Sequence, residues 1–192
     1  MGSSWRVRHS AVLLSALVWL VVPVQPAAAH DWGPFGGVPF NEEPRFADNE
    51  HHTFCNGRVT ERTHEAYYNA RVYALGEPTD MITSYEDCVA GTDVWVYDGI
   101  YGQGWYGMYE CKDEAPNGSC YSSWMRIDRE EAQSYEQRRK TSCHEIGHSV
   151  GLRHFANGSP GPNNSNTSCM VSGPYLNNYY SSHEEGHIND RY

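Results

Sequence analysis

His144 and His148 stand four residues apart, His154 follows six residues later, and Glu145 sits beside the first of them. On a helix, positions i and i+4 share one face with Cβ atoms about 5–6 Å apart, so both imidazoles can turn a ring nitrogen toward one ion. A tetrahedral ion needs a third protein ligand from a direction the same helix cannot supply, so the chain must leave the helix axis before His154. Gly151 offers that break, because a left-handed residue commonly ends a helix and costs glycine little. Glu145 neighbours a ligand without being one, so its carboxylate would lie near a water in the fourth position and act as general base. Three imidazoles plus water is a donor set for one catalytic zinc ion.

The short pattern H-E-x-x-H occurs a second time, at His183-Glu184-Glu185-Gly186-His187. Only residues 188–192 follow it, with no third ligand at the closing distance. Ser181 or Ser182 ahead of Glu184 and Glu185 reads instead as the N-cap and acidic first turn of a C-terminal helix.

The longer pattern H-E-x-x-H-x-x-G-x-x-H, from His144 to His154, resembles the metzincin clan of zinc endopeptidases, nearest to matrixin-like members or a small bacterial secreted relative. That clan has a methionine turn beneath the metal, and Ser168-Cys169-Met170-Val171-Ser172-Gly173 makes Met170 the candidate. No Tyr follows Met170 by one or two residues, a departure from matrixin-like and astacin-like chains. The resemblance implies an α+β, zincin-like fold: a mixed, twisted five-stranded sheet with the zinc cleft along its edge strand, an active-site helix and a C-terminal helix. It also implies peptide-bond hydrolysis, with a zinc-bound water activated by Glu145 and protein or peptide substrates. A tyrosine often assists in such sites, and Tyr175, Tyr179 and Tyr180 are the candidates. Two other readings are a secreted binding domain without catalysis and a zinc hydrolase of a non-protein substrate.

The elements that must position these residues follow from local pattern. Residues 51–55 can open a first strand, although adjacent His51 and His52 also suit a second metal. Residues 61–75 carry Ala66, Tyr67, Ala70, Tyr73 and Ala74 at helical spacing, with His64 on the surface. Residues 79–85, 92–97 and 121–127 are β-rich runs, and glycine- and aromatic-rich 101–109 suits an edge strand that another backbone can approach. Residues 133–150 form the helix that delivers the first two histidines. The Asn/Ser/Pro/Gly-rich stretch 157–168 is loop. Asn117, Asn163 and Asn166 each begin an N-glycosylation acceptor pattern.

The N-terminus has Arg6 and Arg8, an apolar run over 11–22 and Ala27-Ala28-Ala29, the three-part layout of a secretory signal. Residues 1–29 are therefore expected to be removed, leaving no membrane anchor. Residues 30–49 are expected to be an extended arm, and the resemblance makes residues 50–192 one metalloprotease domain, expected to be monomeric and extracellular. The signal holds two arginines and no acids, so its loss takes the formal charge from −10 to −12. That balance excludes nucleic acid as a natural partner.

The six cysteines all lie after the signal, and an even count in a secreted chain implies three disulfides. Cys111 and Cys120 flank a polar, turn-like segment and pair first. In the resembled fold Cys143 and Cys169 lie close together, which leaves Cys55 with Cys88. No C-x-x-C spacing supports a cysteine metal site instead.

Overall fold

The computed structural model describes residues 45–154 and 168–192. The signal over 1–29, residues 30–44 of the arm, loop residues 157–167, and Asn163 and Asn166 lie outside the described residues.

Five β-rich runs become β1 (His51–Arg58), β2 (Ile82–Tyr85), β3 (Val94–Gly99), β4 (Gly107–Glu114) and β5 (Cys120–Asp128). They form one mixed sheet in the order β2-β1-β3-β5-β4. β1 is parallel to β2 and β3, β3 is parallel to β5, and β4 returns antiparallel along β5 as an edge strand. Parallel neighbours need a crossover. Between β1 and β2 it is α1 (Glu61–Asn69), which continues as a π-helical segment, Ala70–Gly76. α2 (Tyr135–Ser149) follows the sheet, and α3 (Ser182–Arg191) closes the chain. The architecture is the expected α+β one, with a five-stranded mixed sheet, a helix carrying His144 and His148, and a C-terminal helix.

Most element ends shift by one to three residues from the sequence reading, and two boundaries change further. The edge strand begins at Gly107 because Asp128 holds the preceding segment as a loop, its Oδ2 accepting the N–H groups of Tyr101 (3.0 Å) and Gly102 (3.2 Å). The end of the arm is packed: Ala47 is buried, Cys120 N–H donates to the Phe46 carbonyl, and Ala47 N–H donates to Tyr192 Oη. The pairing His51–Phe54 with β2 makes residues 51–55 a strand, with His51 exposed and His52 buried. His64 is half-buried among Tyr67, Tyr68 and Tyr85.

The core lies between the sheet and the helices. Phe54, Val94, Val96, Met125 and Ile127 from the strands meet Tyr67 and Leu75 from the crossover and Ile146 from α2. Each side chain buried this fully contributes roughly 1.5–3 kcal/mol against exposure. Asp98 on β3 sets the start of α1, its Oδ2 accepting from Thr60 N–H (3.0 Å) and from the hydroxyls of Thr60 (2.5 Å) and Thr63 (2.6 Å). Arg138 then joins α2 to α1 by donating to Thr63 Oγ1 (3.1 Å).

Three disulfides tie these layers: Cys55–Cys88, Cys111–Cys120 across β4 and β5, and Cys143–Cys169, with no cysteine left free. Among the described residues no helix is long and apolar enough to cross a membrane.

Candidate metal centre

α2 starts on a capping box: Ser134 Oγ accepts Gln137 N–H (3.1 Å) while Gln137 Oε1 accepts Ser134 N–H (3.2 Å). Its second half is buried, unlike an ordinary surface helix, and carries His144, Glu145 and His148 at 7 %, 5 % and 9 % exposure. It ends where Gly151 adopts φ +94°. Leu152 N–H returns to the Gly147 carbonyl (2.8 Å) and Gly151 N–H to His148 (3.2 Å), the two bonds of a Schellman end. A Cβ at 151 would also meet the Phe46 ring. The chain then doubles back and brings His154 to the other two histidines.

The three imidazoles converge through Nε2. His154 Nε2 lies 2.7 Å from His144 Nε2 and 3.0 Å from His148 Nε2. His144 Nδ1–H donates to the Cys169 carbonyl (2.8 Å), and His148 Nδ1–H donates to the Leu152 carbonyl (2.7 Å). A carbonyl can only accept, so both Nδ1 atoms carry the proton and both Nε2 lone pairs face the convergence point. Burial, followed by mutual repulsion and the nearby Lys140 charge, pushes the His144 pKa well below its ordinary value. His148 is lowered to about 3, mainly by burial, and His154 is lowered for the same reason. All three are therefore neutral near pH 7, the form that binds a cation. Zinc–nitrogen bonds of about 2.0–2.1 Å at tetrahedral angles would separate such nitrogens by ~3.3 Å, so His154 needs to draw back from the other two rings by only a few tenths of an ångström. The donor set fits a zinc ion.

Cys169 belongs to the turn bearing Met170, which is fully buried beneath α2. A Cβ on Gly147 would come 2.3 Å from Met170 Sδ, so a glycine is what lets helix and turn touch. Ser168 Oγ accepts Met170 N–H (3.0 Å) and donates to Glu184 Oε1 (2.8 Å).

Glu145 shares a cleft of about 410 Å3 with the three histidines. Trp105 to Tyr109 form one wall, and Ser172 and Gly173 the other. Burial raises the Glu145 pKa to about 8, against the opposing pull of Lys140 and a hydrogen bond from the Tyr109 backbone. A larger hollow of about 720 Å3 lies at the ends of β1 and β3, but its buried carboxylate, Asp98, is already engaged by Thr60 and Thr63.

The second H-E-x-x-H is on α3. His183 and His187 lie on the exposed side with Nε2 atoms 3.2 Å apart, while Glu184 is buried on the other. Among the described residues, the group of three or more potential ligands is His144, His148 and His154. Of the tyrosine candidates, Tyr180 is buried and donates to the Cys143 carbonyl (2.9 Å), and Tyr179 Oη accepts from Arg139 (2.8 Å). Tyr175 is half-exposed and lines a recess beside the cleft. Sequence reasoning missed Lys140 and Thr141 in the cleft. Lys140 was signalled only by its place one turn before His144.

Fold and site together define a mixed α+β domain with a buried tri-histidine cluster that can hold a metal ion. No known family model matches the sequence, and no curated protein matches it. Similar solved structures include two of myroilysin. One is 12% identical with a TM-score of 0.43, covering 75% of this chain and 84% of that chain. The other is 13% identical with a TM-score of 0.46, covering 82% and 87%.

Proposed function

We propose that this chain is a secreted zinc-dependent endopeptidase in which His144, His148 and His154 hold the ion and Glu145 is the general base. One observation carries the reading: three Nε2 atoms converge, two with their Nδ1 protons fixed on backbone carbonyls, beside a buried carboxylate in an open cleft. A zinc ion in this set would supply Lewis acidity, lowering the pKa of water toward ~7 and stabilising charge on a substrate oxygen. Glu145 accepts the proton of the attacking water and returns it to the leaving amine. Its burial favours taking up the proton, since the neutral acid is the less costly form in a dry site. Met170 and Cys169 are positioning residues, one under the helix and one holding the His144 ring. β4, as an edge strand, offers unpaired backbone groups to an extended peptide. Three disulfides support export through the signal at 1–29.

The test is metal content with cleavage of denatured casein. The expected result is one zinc per chain retained through dialysis, proteolysis lost on chelation, and recovery on adding zinc back. Less than half an equivalent with proteolysis unchanged overturns the reading. Full zinc with ester or glycan hydrolysis alone moves it to a hydrolase of another substrate, and full zinc with no hydrolysis leaves a binding domain.

A further inference from the structure

Lys140 lines the cleft one turn ahead of His144 on the same face of α2. It is 7 % exposed and forms no ion pair among the described residues. An ammonium that lines the cleft with no carboxylate at ion-pair distance leaves a charge-assisted contact open, and a ligand carboxylate supplies it. The acid acting on it most directly, Glu145, has a backbone partner in Tyr109 and a separate role at the reacting bond. Beside Lys140 the cleft opens into a small recess bounded by Tyr106, Gln137, Tyr175 and Leu176, which brings aromatic walls and an amide but no anion.

Distance fixes where a substrate meets this charge. Lys140 precedes His144 by four residues, about 6 Å along the helix at 1.5 Å per residue. An extended peptide advances about 3.3 Å per residue, so on a substrate lying along α2 Lys140 faces a side chain one or two positions from the bond held at the histidine cluster. We propose that Lys140 selects substrates carrying Asp or Glu at that place, pairing its ammonium with the side-chain carboxylate. This rests on the endopeptidase reading and names the substrate class. The chain's formal charge of −10 works against acidic peptides at long range. Surface charge is screened beyond about 8 Å at physiological salt, whereas a contact inside the cleft is not, so the local pair decides.

The experiment uses zinc-loaded full-length protein and fluorogenic peptides that differ only at the two residues on either side of the cleaved bond: Glu, Asp, Gln, Leu or Lys. The expected result is a kcat/KM about tenfold or more higher for the best acidic peptide than for its Gln or Asn isostere, as for a charge-assisted hydrogen bond. In Lys140→Gln that ratio should fall to about one, and Lys140→Arg should keep it. Lys140→Glu should favour the Lys peptide. Equal ratios in wild type and Lys140→Gln overturn the inference, as does a wild-type preference for Leu or Lys. A Lys140→Gln variant whose pH profile shifts while the acidic preference persists makes Lys140 a counter-charge to Glu145, which also overturns it. Wild-type selectivity decides the matter even if a variant misfolds. Failure to cut any peptide, with zinc bound, removes the endopeptidase reading and this inference with it.

Discussion

Two glutamates in the same five-residue pattern meet opposite fates. Glu145 faces the histidine cluster, while Glu184 faces away from His183 and His187 into the body of the protein. Glu184 is more than the first-turn acid of a cap: at 2 % exposure it accepts from Ser181 N–H (2.6 Å) and from Ser168 Oγ. Glu184→Ala strands a buried hydroxyl and a cap amide, so a stability loss of roughly 2–4 kcal/mol is expected in urea unfolding, with turnover per folded molecule nearly unchanged. Glu145→Ala should keep its zinc and its fold while losing about 10²–10⁴ in rate. If Glu184→Ala abolishes hydrolysis in folded, zinc-loaded protein and Glu145→Ala does not, the reacting site is at the wrong copy. The tri-histidine cluster was legible in the sequence because its spacing is local: one helix, one glycine, one return. The burial of Lys140 and Glu184 was not, since each is covered by residues distant in sequence.

Element by element, what decides the site is how closely α2 meets the turn under it. Met170 is fully buried, and a Cβ at position 147 would meet Tyr180 at 3.2 Å as well as the Met170 sulfur, so the added methyl has little free space. Gly147→Ala should therefore cost about 1–3 kcal/mol through overpacking. It should also displace the Cys169 carbonyl that orients His144, so zinc should leave more readily. Unfolding midpoints and a zinc competition titration read the two effects, and a variant with wild-type zinc affinity would separate the turn from the metal. Strand existence and type were readable from β-branched and aromatic runs, but the ends were not. β4 starts where Asp128, on another strand, stops holding the loop, and α1 becomes π-helical at Ala70 with no marker in the sequence pattern.

For the molecule as a whole, acidity also acts through a histidine outside the cluster. His52 on β1 is buried, with Nε2 2.9 Å from Ser149 Oγ on α2 and Nδ1 3.8 Å from Asp93. Burial lowers its pKa from 6.5 to about 4, with Asp48 opposing. Between those values the unfolded chain binds the extra proton and the folded one does not. This group's contribution is therefore complete above pH 6.5 and is lost as pH falls toward 4, by about 3 kcal/mol at most. Urea unfolding of zinc-free protein at pH 7.5 and 5 should show a smaller loss in His52→Gln than in wild type. An equal loss places the titration elsewhere. The disulfides act on the same balance: closing loops of 33 and 26 positions gives about 3.5 kcal/mol each on chain entropy.

The Cys143–Cys169 bond has a topological side as well. All three histidines of the cluster fall inside the ring it closes. On the proposed endopeptidase reading the protein is exposed to its own activity, and the Asn/Ser/Pro/Gly-rich stretch before Ser168 is the composition in which nicks accumulate. A single cut between His154 and Ser168 cannot shed either piece. One fragment keeps the sheet, α2 and the histidines, and the other keeps Met170, α3 and the carbonyl that steers His144, with the sulfur bridge still joining them. Such a nicked molecule should run as one band without reductant and as two with it, and should go on working in the first state.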